Sequence, residues 1–270
     1  MSGICPHPAQ FQVPSLAEWN ANSSGQLGRN LCDHLYGEST AGYLPQLLGQ
    51  PSFPDNVGDN TVAWMPRWQN LNNPHEEKFV RGYSVYPGGG CTEFPWYASQ
   101  AEGFGSAYKR AVKRRYPTPV SFTVQAPTLP LASNYVDLDP DVKDKYGIPV
   151  ARIHFQWGEN ELKMWEHSKQ VCADLIRAAG GEFESSAKEP LMPGWSLHET
   201  GTCRMGSDPK QSVTNSFGQT HDVPNLHVCD ASVFVTPTDK TTTISIMAFT
   251  LRSCEHMIEN LRRGGLSRTA

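Results

Sequence analysis

Three short stretches of this chain hold residue types suited to chemistry. His198 heads the segment HETGTCRMG, a loop broken by Gly201 and Gly206. Asp230-Ala231-Ser232 closes the apolar run NLHVCD (225–230), and Thr241-Thr242-Thr243 precede an apolar-periodic run that starts at Ile244. An imidazole titrates near neutral pH, so His198 suits proton exchange with a substrate hydroxyl. On residue type alone it reads first as a hydrogen-bonded structural histidine. A strand end meeting a helix N-terminus gathers backbone N–H groups and partial positive charge, which describes a site for an electron-rich ligand as well as it describes a turn. Asp230 likewise reads as a ligand contact or as a strand-end cap.

Other chemistries find no support in the residue pattern. The seven cysteines (Cys5, Cys32, Cys91, Cys172, Cys203, Cys229 and Cys254) are scattered, odd in number and without a CxxC pair. Reduced thiols are therefore expected rather than a disulfide framework or zinc cluster. His34, His221 and His227 form no HxH or HExxH arrangement, so no metal is expected. No GxSxG elbow is present. GFGSAY (103–108) has Tyr108 where a dinucleotide loop needs its third glycine, and reads as a loop entering a helix. YPGGGC (86–91) lacks the Lys-Ser/Thr of a phosphate loop and reads as a turn.

A formal net charge of -4 gives no basic field for nucleic acid. The first residues, MSGICPHPAQF, have neither a basic n-region nor an apolar h-region, and no apolar run is long enough to span a bilayer. A soluble chain without membrane insertion, cytoplasmic by default, is the expectation.

The elements that must position these residues follow from periodicity. VSFTVQA (120–126), NYVDL (134–138) and VARIHFQW (150–157) alternate as half-buried strands do, the last two forming a hairpin across DPDVKDKYGIP. Leu162, Trp165, Cys172, Leu175, Ile176 and Ala179 recur on a helical period that Gly180-Gly181 should end. Ile244, Met247, Leu251, Cys254, Ile258 and Leu261 step by three and four along a final helix, with the three threonines as its caps. NLHVCD reads as a short strand, and the stretch after Gly28 as a short helix. Residues 37–120, rich in Pro, Gly and aromatics, read as loops and short strands whose aromatics pack a core rather than line a pocket.

The motifs together resemble the glucose–methanol–choline (GMC) oxidoreductases. HETGTCRMG is similar to that family's His-x-x-Gly-Thr-x-x-Met-Gly block, NLHVCDASVF to its Asn-Leu-x-Val-x-Asp-Ala-Ser block, and ISIMAFTLRSCEHM to its closing helix. NSSGQLGRNLCDH and NYVDLDPDVKDKYGIPVARIHFQW also look like family segments, in the family's order. SVTNSFGQTHDVPNL and DKTTT bring gluconate-dehydrogenase-like flavoprotein subunits closest.

The resemblance implies an α+β fold: an antiparallel-sheet substrate-binding domain with flanking helices over 37–195, plus the C-terminal pieces of an FAD-binding α/β domain at 1–36 and 196–270. It implies FAD as cofactor and oxidation of the CH–OH group of a sugar, polyol or sugar acid. His198 falls on the family's active-site histidine, which takes the hydroxyl proton while hydride passes to flavin N5. Asp230 and Ala231 fall on positions that meet the cofactor, and Thr242 and Thr243 lie at the helix N-terminus that would face the flavin.

Two departures accompany the resemblance. Counting back from Arg252 puts Thr241 at the second catalytic position, where the family usually has Asn or His. A hydroxyl can exchange hydrogen bonds there but cannot become cationic. The family's G-x-G-x-x-G strand–turn–helix unit, which holds the ADP half of FAD, has no counterpart in this sequence. A partner chain supplying that unit is one resolution; a catalytically silent remnant or binding module without stable flavin is the other.

Overall fold

A computed structural model describes residues 22–51, 64–73, 77–89, 98–99, 101–196 and 198–263. These fall into two compact units. The first gathers residues 22–34, Pro127–Gly158 and 193–263; the second gathers 35–126 and Glu159–Met192. The second unit overlaps the substrate domain expected over 37–195, while residues 127–158 cluster with the first unit. Residues 1–21 of the expected 1–36 segment, together with Cys5 and Cys91, lie outside the described residues.

A four-stranded sheet forms the second unit, in the order β2-β3-β1-β6, from β1 (His34–Tyr43), β2 (Ser84–Gly89), β3 (Pro119–Pro127) and β6 (Glu182–Ser186). β2 runs antiparallel to β3, and β6 antiparallel to β1. Two expectations are corrected here. The stretch after Gly28 leads through a turn into β1 and not into a helix, because Leu35 to Tyr43 alternate buried and less buried positions in a pleated strand. Residues 86–89, expected as a turn, are strand β2, held in register from Ser84↔Gln125 to Gly89↔Val120. β6, EFESS, is fully exposed and charged, a suitable edge.

The helices match the periodicity in position. α1 (Gly105–Arg115) starts inside GFGSAY, so that string is a loop entering a helix as expected. α2 (Glu159–Ala178) buries Met164, Trp165, Cys172 and Ile176. Gly180 then takes φ +74° and its N–H bonds the Arg177 carbonyl, while the Gly181 N–H bonds that of Ile176 (both 2.9 Å). This is a Schellman cap, which the left-handed φ reserves for glycine.

The first unit contains the expected hairpin, β4 (Tyr135–Lys143) against β5 (Pro149–His154), antiparallel from Tyr135↔His154 to Lys143↔Pro149. It is a two-stranded sheet of its own, not part of the sheet that holds β3. NLHVCD is not a strand: only His227 makes an isolated bridge, to Gln219, and Val228 bonds the Gly218 carbonyl. The run instead contributes Val228 to a small core with Leu27, Cys203, Val213 and Val233.

The last helix, α3 (Thr243–Arg262), forms as expected, yet its apolar face is not buried. Ser253 is the only buried residue along it. Ile244, Met247, Leu251, Ile258 and Leu261 are all exposed. Its polar side is the anchored one: Arg252 bonds the Ser216 carbonyl at 2.6 Å, and His256 stacks on Phe217 with ring centroids 3.7 Å apart. Among the described residues no helix is long and apolar enough to cross a membrane.

Candidate active site

The loop carrying His198 is placed by backbone pairing with residues 28–32. Cys32 and Thr200 exchange both N–H···O bonds at 2.9 Å, and the Gly28 N–H bonds the Thr202 carbonyl at 2.8 Å. The approach is so close that a Cβ at Gly201 would lie 2.1 Å from the Asn30 carbonyl oxygen, and φ there is +94°. Only glycine fits on both counts. Cys32↔Thr200 is an antiparallel bridge, so the same register two residues further along sets His34 opposite His198.

Asp33 locks this juxtaposition. Its buried carboxylate accepts three backbone N–H groups: His34 at 2.7 Å and His198 at 3.1 Å on Oδ1, Ser196 at 2.9 Å on Oδ2. The Asp33 backbone is itself tied to the Thr128 hydroxyl in both directions. The two rings then meet edge to face, Nδ1 to Nδ1 at 3.0 Å. His34 Nε2 donates to the Thr238 carbonyl at 2.5 Å.

Burial dominates the electrostatics. It pushes the fully buried His34 down to about 4, against the hydrogen bond to Thr238, which acts the other way. It also lowers the half-buried His198, opposed by the Asp33 charge. Both imidazoles are therefore neutral at neutral pH. The neighbouring Glu199 carboxyl is raised by burial.

The other expected site residues occupy distinct places. Asp230 caps a short 3-10 helix, Ala231–Val233, by accepting the Ser232 N–H at 2.8 Å. Its carboxyl is raised by burial, which the Ser232 bonds oppose. Ala231 is buried, and the Cys203 and Met205 N–H groups pair with the Ser232 and Val233 carbonyls, tying this turn to the His198 loop. Thr242 is the buried N-cap residue of α3, but its side chain makes no capping bond; Thr241 and Thr243 are exposed. None of the three bonds His198 directly. The link runs from His198 through His34 to the Thr238 carbonyl, on the segment leading into α3.

Asp33 and His34 were not among the residues expected at the site. Their signal was the Asp-His pair closing NSSGQLGRNLCDH, a segment the family resemblance already included. Five cysteines among the described residues are in no disulfide, three of them buried. Among those residues, no group of three or more His, Cys, Asp and Glu side chains could hold a metal ion.

Comparison with known proteins bears on the same stretch. Residues 130–250 match the GMC oxidoreductase family model. The chain is 30% identical over 184 residues to 2-methyl-1,2-propanediol dehydrogenase of Mycolicibacterium austroafricanum, covering 66% of this chain and 33% of that protein. It is 29% identical over 143 residues to the gluconate 2-dehydrogenase flavoprotein of Pantoea cypripedii, covering 48% of this chain and 22% of that one. The chain thus spans a third or less of these relatives' length. Among solved structures, formate oxidase of Aspergillus oryzae superposes with a TM-score of 0.54 at 16% identity, over 89% of this chain and 48% of that one.

Proposed function

Through residues 130–250 the chain belongs to the GMC oxidoreductases, and we propose that it carries the proton-accepting site of an FAD-dependent enzyme that oxidises the CH–OH group of a sugar, polyol or sugar acid. The observation that carries this reading is His198: neutral through burial, anchored by its backbone to Asp33, and inside the matched region. The substrate class rests on what the relatives' names state, a diol and gluconate.

The residues present fit the flavin end of the cofactor. The Ser232 and Thr200 hydroxyls are buried without a hydrogen-bond partner among the described residues, and such groups ordinarily have one. The N-terminus of α3 has no side-chain cap and no acidic residue in its first turn, so its N–H groups and partial positive charge remain available. Asp230, Ala231, Thr242 and Thr243 are the residues that would hold the group. No strand–turn–helix unit for the ADP half exists among the described residues. A further segment or a partner chain supplies it in this proposal, and the exposed apolar face of α3 is the surface it would cover.

FAD supplies the hydride acceptor when bound. His198 takes the hydroxyl proton of the substrate, for which a neutral imidazole is required. Thr241, exposed at the head of α3, offers one hydroxyl to the substrate oxygen. It can orient that oxygen but adds no positive charge.

The exposed face of α3, and the lack of a strand–turn–helix unit among the described residues, are also compatible with a second reading, a remnant that holds no stable flavin. The enzyme reading is tested directly: the protein is incubated with FAD, desalted, and titrated anaerobically with polyols and sugar acids. Retained flavin whose visible band bleaches supports the enzyme. A chain that emerges colourless either needs the segment or partner that holds the ADP half or is the remnant.

A further inference from the structure

We propose that His34 is a positioning residue that sets the tautomer of His198 and so leaves His198 Nε2 as the atom that accepts a proton. The proposal rests on the reading of His198 as the proton acceptor, but its evidence is separate.

The argument is a count of hydrogens along one chain of contacts. A carbonyl oxygen only accepts, so the 2.5 Å contact to the Thr238 carbonyl puts a hydrogen on His34 Nε2. His34 is fully buried and burial disfavours its cation, so it carries that hydrogen alone and its Nδ1 presents a lone pair. One hydrogen fits between the two Nδ1 atoms at 3.0 Å, and it must therefore belong to His198. A neutral His198 protonated at Nδ1 has a bare Nε2, which meets no partner among the described residues. In water an isolated histidine is not held to one tautomer in this way; here the partner decides.

The same contact serves the charged state. When His198 gains a proton at Nε2, its Nδ1–H faces the His34 lone pair, and a bond from a cationic donor is stronger than from a neutral one. His34 passes nothing on, because the Thr238 carbonyl cannot take a proton. The charges around the pair are the Asp33 carboxylate, already engaged by three N–H groups, Asp239, whose charge acts on His34, and the Glu199 carboxyl beside His198. Protonation of His34 would put a hydrogen on its Nδ1 and force His198 into the opposite tautomer, with Nε2–H a donor.

The first test needs no substrate or cofactor. Nitrogen-15 NMR of the histidine-labelled protein, with His198 assigned by the signals lost in His198→Gln, should give a pyrrole-like Nδ1 and a pyridine-like Nε2. A His198 protonated at Nε2 near neutral pH would overturn the proposal whatever the activity. The second test separates the chemistry. His34→Gln can still reach the Thr238 carbonyl but offers no acceptor at the Nδ1 position, whereas His34→Asn places its amide oxygen there. His34→Gln should lower the rate of flavin reduction by about 100-fold with little change in KM. His34→Asn should recover most of that loss and keep the His198 tautomer. Equal losses in both folded variants, with the tautomer unchanged, would overturn the proposal. A correct tautomer in a protein that loses no activity on replacement of His198 would instead reject the proton-acceptor reading and leave the tautomer assignment standing.

Discussion

α2 and α3 each run for 20 residues and each carries apolar side chains on a helical period, yet they end in opposite situations. α2 packs Trp165 and Ile176 to 1% exposure. α3 leaves Ile244 82% and Leu251 61% exposed, while its polar side buries Ser253 and is fixed by Arg252 and His256. Periodicity therefore identifies which side chains share a face and says nothing of what meets that face. Each large apolar side chain left in water forfeits about 1.5–3 kcal/mol, a loss that soluble proteins rarely sustain along a whole helix.

The contrast can be broken most forcefully at α2. Trp165→Ala should lower the unfolding free energy by about 3–5 kcal/mol in urea denaturation, because it removes the largest fully buried side chain among the described residues. A loss under about 1 kcal/mol would mean that the two helices are not so different. A titratable group sharpens the comparison from within the first unit, which buries His34 completely while α3 stays bare. His34 falls from 6.5 unfolded to about 4 folded. The native state thus refuses a proton that the unfolded chain accepts. The stabilisation, about 3 kcal/mol, is complete above pH 6.5 and is lost as pH falls from there towards 4. Denaturation midpoints across that range should fall steeply in wild type and more shallowly in His34→Asn. The smallest effect belongs to the outward face of α3. Met247→Ser and Leu251→Ser should each change stability by no more than about 0.5 kcal/mol, and a loss above about 2 kcal/mol would show that something covers that face in solution.

Much of this architecture was legible in local pattern. The spacing from Leu162 to Ala179 with Gly180-Gly181 described α2 and its cap, because a helix and its C-terminal glycine are set by residues close in sequence. The β4–β5 hairpin was legible for the same reason. NLHVCD was misread as a strand because six apolar-rich residues do not determine whether a partner strand lies beside them; here loops at Gly218 and Leu27 take up its contacts. The same limit hid the outward turn of α3.

Motif alone points to His198, Asp230 and the threonines, whereas His34 enters the sequence reading only as one of three histidines that form no metal-ligand pattern. Its partner lies 164 residues away, and its role depends on a backbone carbonyl at Thr238, which no side-chain pattern reveals. Asp33 escaped notice for a related reason: a carboxylate spent on three backbone N–H groups leaves no spacing signature.

The most direct measurement is the anaerobic rate at which an oxidisable alcohol reduces bound flavin, compared between wild type and His198→Gln at matched FAD occupancy. The account predicts a fall of roughly 100- to 10,000-fold in the variant, the usual worth of a positioned proton acceptor. An undiminished rate with flavin fully bound would contradict it.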